Sequence, residues 1–152
     1  MKIEKTLGMV AVFVIAFSLL SFISAAQAQT CDLSANDISF GPLSQNQISN
    51  DVTLTLTNSG SFDINSDSIS VSGTDWDANS GFLVSQTHFS TSPDQSYETM
   101  TSLSTQPQGL GLTGLFEQLA SIPVYFKLQV PSHQAAGDYH QTITFTFGCG
   151  EV

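Results

Sequence analysis

The segment 139–149, YHQTITFTFGC, constrains this chain more than any other stretch. Tyr139, Ile143, Phe145, Phe147 and Cys149 fall on one side of a period-2 alternation, and His140, Thr142, Thr144 and Thr146 on the other. Successive side chains of an extended ribbon point to opposite faces, so this is the pattern of a half-buried β-strand. The strand closes on a cysteine turned to the core. The second of the two cysteines, Cys31, stands near the start of the exported portion. One disulfide would therefore join both ends of a single β-domain, as expected of an exported chain with an even cysteine count.

Residues 1–28 read as an export signal. Lys2 and Lys5 precede an apolar run over 7–23, and Ala26-Gln27-Ala28 supplies the small-residue cleavage site. Cleavage after Ala28 leaves a domain of 124 residues, 29–152. An uncleaved N-terminal anchor competes with this reading, because the run nearly reaches the length that spans a bilayer. A type IV pilin leader fits less well, since no charged residue directly precedes Gly8. Without the signal the chain keeps one base, Lys127, against twelve acids, a formal charge of −11. Such a surface repels phosphate backbones and anionic headgroups, which argues against nucleic acid and, after cleavage, membrane as partners. Charged residues are scarce overall, so Ser, Thr, Asn and Gln must make most of the coat.

Strand signals alternate with turn chemistry along the domain. Residues 38–40 end at Gly41-Pro42; DVTLTLTN alternates Val52, Leu54 and Leu56 with threonines; Asn58-Ser59-Gly60 is a turn. Ile69 and Val71 mark the next strand, GFLVSQTHF another, and 97–103 a weaker one. In IPVYFKLQV, Val124, Phe126, Leu128 and Val130 share a face. The stretch PQGLGLTGLFEQLASIP departs from the pattern, with glycines and then Leu115, Phe116 and Leu119 at helical spacing, and reads as a long crossover with one helical turn. About seven short strands result, the count of a two-sheet, immunoglobulin-like β-sandwich of the all-β class. Its expected core is Leu54, Leu56, Val124, Phe126, Leu128, Ile143, Phe145 and Phe147.

Chemistry is sparsely signalled. Asp75, Asp77 and Asn79 in TDWDANSG have the D-x-D-x-N spacing that sets three oxygen ligands around calcium. The glycine and glutamate of a full EF-hand loop are replaced by Ser80 and Gln86, so a turn capped by aspartate competes with calcium. His88, His133 and His140 lack metal spacing, no serine stands in a G-x-S-x-G elbow, and the carboxylates are not paired as glycoside hydrolysis requires. No catalytic residue and no cofactor is expected. Trp76, Tyr97, Tyr125 and Tyr139 would either line a glycan-binding face or fill the core and its edges.

A sandwich leaves open strand edges, and an open edge recruits another strand unless charge, proline or a bulge blocks it. With Lys127 as the one base, VTLTLTN and TITFTF carry no lysine gatekeeper. If Cys31 bonds Cys149 of its own chain, only Gln29 and Thr30 precede the staple, too few for a donor strand. If it bonds the next chain, residues 32–40 would be inserted there, the geometry of donor-strand complementation.

The elements VTLTLTNSG, ISVSGTDW, VSQTHFS with SYETMTSL, and HQTITFTFGC resemble those of small exported β-sandwich proteins of archaea. The opening CDLSANDISFG and the closing AAGDYHQTITFTF are similar to subunits of extracellular fibres, including spore coat protein U and pilin-like sandwiches. That resemblance implies a cell-surface filament, pilus or sheath subunit whose main partner is itself. It differs from the bacterial pilin pattern in placing its second cysteine at the very end. The alternative is a monomeric surface module that binds glycans.

A Cys31–Cys149 staple closes a loop of 117 residues, worth roughly 4–5 kcal/mol in the chain-entropy model before strain. Cys149→Ser is expected to lower the unfolding free energy by a few kcal/mol in a denaturant titration. A variant that melts with the parent would refute the staple.

Overall fold

The computed structural model describes residues 30–76 and 81–148. Its strands are β1 (Leu33–Ala35), β2 (Val52–Asn58), β3 (Ile64–Asn65), β4 (Ser70–Gly73), β5 (Thr87–Ser90), β6 (Thr101–Ser102), β7 (Gln108–Gly109), β8 (Leu115–Phe116), β9 (Ser121–Leu128) and β10 (Ile143–Thr146). The protein is all-β. A five-stranded antiparallel sheet runs β1-β2-β9-β5-β6, a three-stranded sheet runs β10-β4-β7, and β3 pairs with β8.

β9 is the axis of the larger sheet. Leu54 faces Val124 across β2, and Phe89 faces Phe126 across β5. This register puts Leu54, Leu56, Phe89, Val124, Phe126 and Leu128 on one buried face. Val71 of the smaller sheet joins the same core as Leu54, Val124 and Phe126, so two sheets enclose one apolar layer. Pro123 is tolerated inside β9 because β5 pairs only with residues 125–128, and a missing N–H at 123 breaks no bond to it.

On the outer face of β9, Lys127 reaches Asp51 at 3.4 Å and donates to the Gln95 carbonyl. Asp51 also accepts from the Asp94 N–H at 3.2 Å. The single base of residues 29–152 thus ties the 91–96 loop to the sheet.

Several expected elements change. Ten strands are described where about seven were expected, because two-residue pairings such as β3 with β8 are too short to show a period in the sequence. The strand expected at 38–40 is not a strand; 33–35 pairs with β2 instead, while Ile38 and Phe40 pack against the core from irregular backbone. The expected strands at 82–89 and 97–103 each contain a 3-10 turn, at Val84–Gln86 and Tyr97–Thr99. The helical turn expected near Leu115 is extended: Leu115 is exposed and Phe116 buried, a period of two. Gly111 and Gly114 have positive φ and turn the chain before β8, which denies a helix its start. Ile143, Phe145 and Phe147 are only half-buried, since β10 has one neighbouring strand among the described residues.

The ends of β9 define two poles. Beside Ser121 lie the 58–62 turn, the 117–120 loop and the segment at Thr30. Gly60 approaches the backbone of 30–32 so closely that a Cβ there would stand 2.6 Å from the Thr30 carbonyl oxygen. Asn58, fully buried, holds this pole. Its Nδ2 donates to the carbonyls of Phe62 (2.7 Å) and Phe116 (2.9 Å), and its Oδ1 accepts from the Gly60 N–H at 3.1 Å. Asn58→Ala takes the amide donor from the Phe62 and Phe116 carbonyls, while the Gly60 N–H keeps the Asp32 carbonyl at 3.2 Å; a loss of about 1–3 kcal/mol is expected, read as a lowered midpoint in urea, and an unchanged midpoint would show that water replaces the amide.

Candidate functional site

At the other pole, beyond Leu128, lies an open cleft of about 1230 Å³ between the 38–45 segment and the 134–143 segment. Four rings build its floor. Phe40 meets Trp76 edge-on at 5.9 Å, Trp76 stacks on Phe82 at 5.3 Å, and Phe82 lies 5.5 Å from Tyr139. Trp76 and Phe82 are buried with Leu128 as a cluster separate from the main core. Rings in offset or edge contact gain beyond their buried area, so this small satellite core can stand at a sheet end.

Two sets of hydrogen bonds tie polar groups at the cleft to one another. Trp76 Nε1 donates to Thr87 Oγ1 (3.0 Å), whose hydroxyl donates to Gln141 Oε1 (2.9 Å), whose Nε2 donates to the Thr74 carbonyl (2.8 Å). The Tyr139 hydroxyl donates to the Ala135 carbonyl at 2.7 Å and accepts from Gln134 Nε2 at 2.6 Å. The chain of bonds fixes the indole and Gln141, while Ser39, Ser44, Asp138 and His140 line the cleft beside its apolar floor.

The sequence-predicted residues are dispersed by the fold. Of the four candidate glycan aromatics, Trp76 and Tyr139 share the cleft. Tyr97 stacks on His88 at 3.8 Å, and Tyr125 lies across from Thr53 and Ser90 on the larger sheet. Burial, and secondarily Glu98, push the Tyr97 phenol above its usual value. The His88 Nδ1 bonds the Tyr97 carbonyl at 2.7 Å. His133 and His140 are exposed. Asp75 uses Oδ1 to accept the Val84 N–H at 2.8 Å, the turn-capping role that competes with calcium; Asp77 and Asn79 lie outside the described residues. Among the described residues no group of three or more His, Cys, Asp or Glu is placed to hold a metal ion, and no helix is long and apolar enough to cross a membrane.

Cys31 is half-buried against the main core, and Cys149 lies outside the described residues, as does the segment 1–28 expected to be a signal. Their flanking segments are both tied into the domain: the Thr30 carbonyl accepts from the Ser61 N–H at 2.7 Å, while the Gly148 N–H donates to Ser68 Oγ at 3.0 Å. The meeting of Phe40, Phe82 and Gln141 at one cleft, with Thr87 bonded to Gln141, was not legible in the sequence, since they come from three separate segments. No known protein family, curated protein or solved structure matches this chain.

Thr87→Val leaves the buried indole N–H and Gln141 without their shared partner. A loss of about 1–3 kcal/mol is expected, with a shifted emission maximum from the single tryptophan; unchanged emission and stability would show that the bonded chain does not hold the cleft.

Proposed function

We propose that this protein is an exported structural subunit of a cell-surface filament or sheath, built by contacts between folded β-sandwiches. One observation carries the reading: the edge of β10. Among the described residues β10 pairs only with β4, and its four residues, Ile143–Thr146, carry no charge and no proline. Edge strands of monomeric proteins are usually blunted by such residues. The one lysine of the domain is committed to Asp51 and cannot act as a gatekeeper. Strand addition at β10 needs no donor from residues 32–40, which serve their own domain through β1.

A Cys31–Cys149 staple within each subunit belongs to the same proposal, as does export by the 1–28 segment. The closed domain would then polymerise without unfolding. The resemblance to archaeal and spore-coat-type fibre sandwiches agrees with this reading. Calcium would enter as a bridge between acidic subunits.

Negative-stain electron microscopy of the protein taken from its cell surface, with and without chelator, tests the proposal. Filaments of constant width are expected, and their loss on chelation would support calcium at Asp75, Asp77 and Asn79 in assembly. Dispersed particles at every concentration would overturn the filament reading and favour a monomeric glycan-binding module. Lysines at Thr144 and Thr146, on the exposed side of β10, are expected to suppress side-by-side association.

A further inference from the structure

Hydrogen bonds brace the aromatic cleft from wall to wall. Gln45 Nε2 donates to the Gln134 carbonyl at 2.6 Å, which joins the 38–45 segment to the 134–143 segment. Gln134 also donates its own Nε2 to the Tyr139 hydroxyl at 2.6 Å, and that hydroxyl donates to the Ala135 carbonyl at 2.7 Å. The Tyr139 ring is thereby fixed. Trp76 and Phe82 are buried beneath, while Phe40 and Tyr139, packed on them at 5.9 and 5.5 Å, stay half-buried and keep part of their surface open to the cleft. A surface already ordered loses little freedom when a ligand settles on it.

Other groups in the cleft are uncommitted. Ser44, Asp138 and His140 line it and are exposed, and among the described residues their side chains enter no hydrogen bond or ion pair. Asp138 and His140 stand on either side of Tyr139 in the chain. Fixed rings beside a free hydroxyl, carboxylate and imidazole make an amphipathic lining, the mixture expected of a site for a small ligand. The mixture also restricts the ligand. An acyl chain would strip water from Asp138 and His140 and return no hydrogen bond. A phosphate or an acidic sugar would meet Asp138 on a domain of formal charge −11. A peptide that adds as a strand needs a strand edge, and residues 38–44 and 134–139 belong to no strand.

We infer that the cleft binds a neutral oligosaccharide. A pyranose is amphipathic in the matching way, with an apolar face of C–H groups and hydroxyls around its edge. The C–H face lies on the Tyr139 or Phe40 ring, whose negative π-face attracts it. Two neighbouring hydroxyls donate to the two carboxylate oxygens of Asp138, and others meet His140 and Ser44, each able to donate or accept. At about 1230 Å³ the cleft exceeds the roughly 300–1,000 Å³ of a site for one drug-sized molecule, so it has room for a chain of sugars. The inference does not rest on the filament reading, because binding uses side chains of the cleft and strand addition uses the backbone of β10.

Trp76, the one tryptophan of the chain, sits in the cleft floor and reports the test. The exported protein is titrated with maltotriose, mannotriose, cellotriose and triacetylchitotriose, with sialyllactose as the anionic control, by tryptophan fluorescence and isothermal titration calorimetry. At least one neutral trisaccharide should bind and change the emission, and sialyllactose should not. Asp138→Ala, at an exposed position, should melt with the parent and bind about tenfold more weakly. Tyr139→Leu removes the ring and should also weaken binding about tenfold, while Tyr139→Phe keeps the ring and should bind nearly as the parent does. Absence of binding by all four neutral sugars overturns the inference, and so does sialyllactose binding as tightly as they do. Affinity unchanged in both Asp138→Ala and Tyr139→Leu places the sugar elsewhere and overturns the site. A protein that binds sugar and never polymerises supports this site while sinking the filament reading; filaments that bind no sugar do the reverse.

Discussion

The ladder that β9 forms with β2 and β5 organises the whole molecule. Its alternation sends Val124, Phe126 and Leu128 into the core and Tyr125 and Lys127 outward. Burying Phe126 and Val124 completely, against Leu54, Leu56 and Phe89, supplies the apolar layer that the smaller sheet covers. The outward side carries the Lys127–Asp51 brace. A one-residue slip would bury the lysine and expose the core at once, so the register is strongly fixed.

Because β9 is central, its ends build two different poles. At its start, the buried Asn58 amide ties three backbone groups and fixes the turn that presents Leu119. At its end, a second cluster forms around Trp76, Phe82 and Leu128, with Phe40 packed against both it and the main core. The result is one pole built around a polar hub and another around an open apolar cleft.

Under the proposed filament reading, electrostatics narrows how copies would meet. A domain with twelve acids and one base cannot rely on ion pairs between copies, and its hydroxyl-rich faces offer short-range hydrogen bonds in place of charge. Ser70 and Thr146 already bond across β4 and β10 at 2.6 Å, as Thr57 and Ser121 do across β2 and β9 at 2.8 Å. The same chemistry serves inside the sheets and suits contacts beside them.

The all-β class and the buried face of the main sheet were legible before any folding was considered. Leu54, Leu56, Val124, Phe126 and Leu128 lie where their alternation put them, because a period of two is a local property of an extended chain. The position of β10 at a sheet edge is a different matter, and it leaves Ile143, Phe145 and Phe147 half-buried despite an equally regular pattern. Alternation reports which face turns inward, not how many neighbours cover it. Nor could spacing distinguish a helical turn from the extended Leu115–Phe116 pair, where glycines set the backbone and pairing with β3 set the period. The cleft is likewise a tertiary product: Phe40, Trp76, Phe82 and Tyr139 come from separate segments, and only the folding of the sheets brings their rings together.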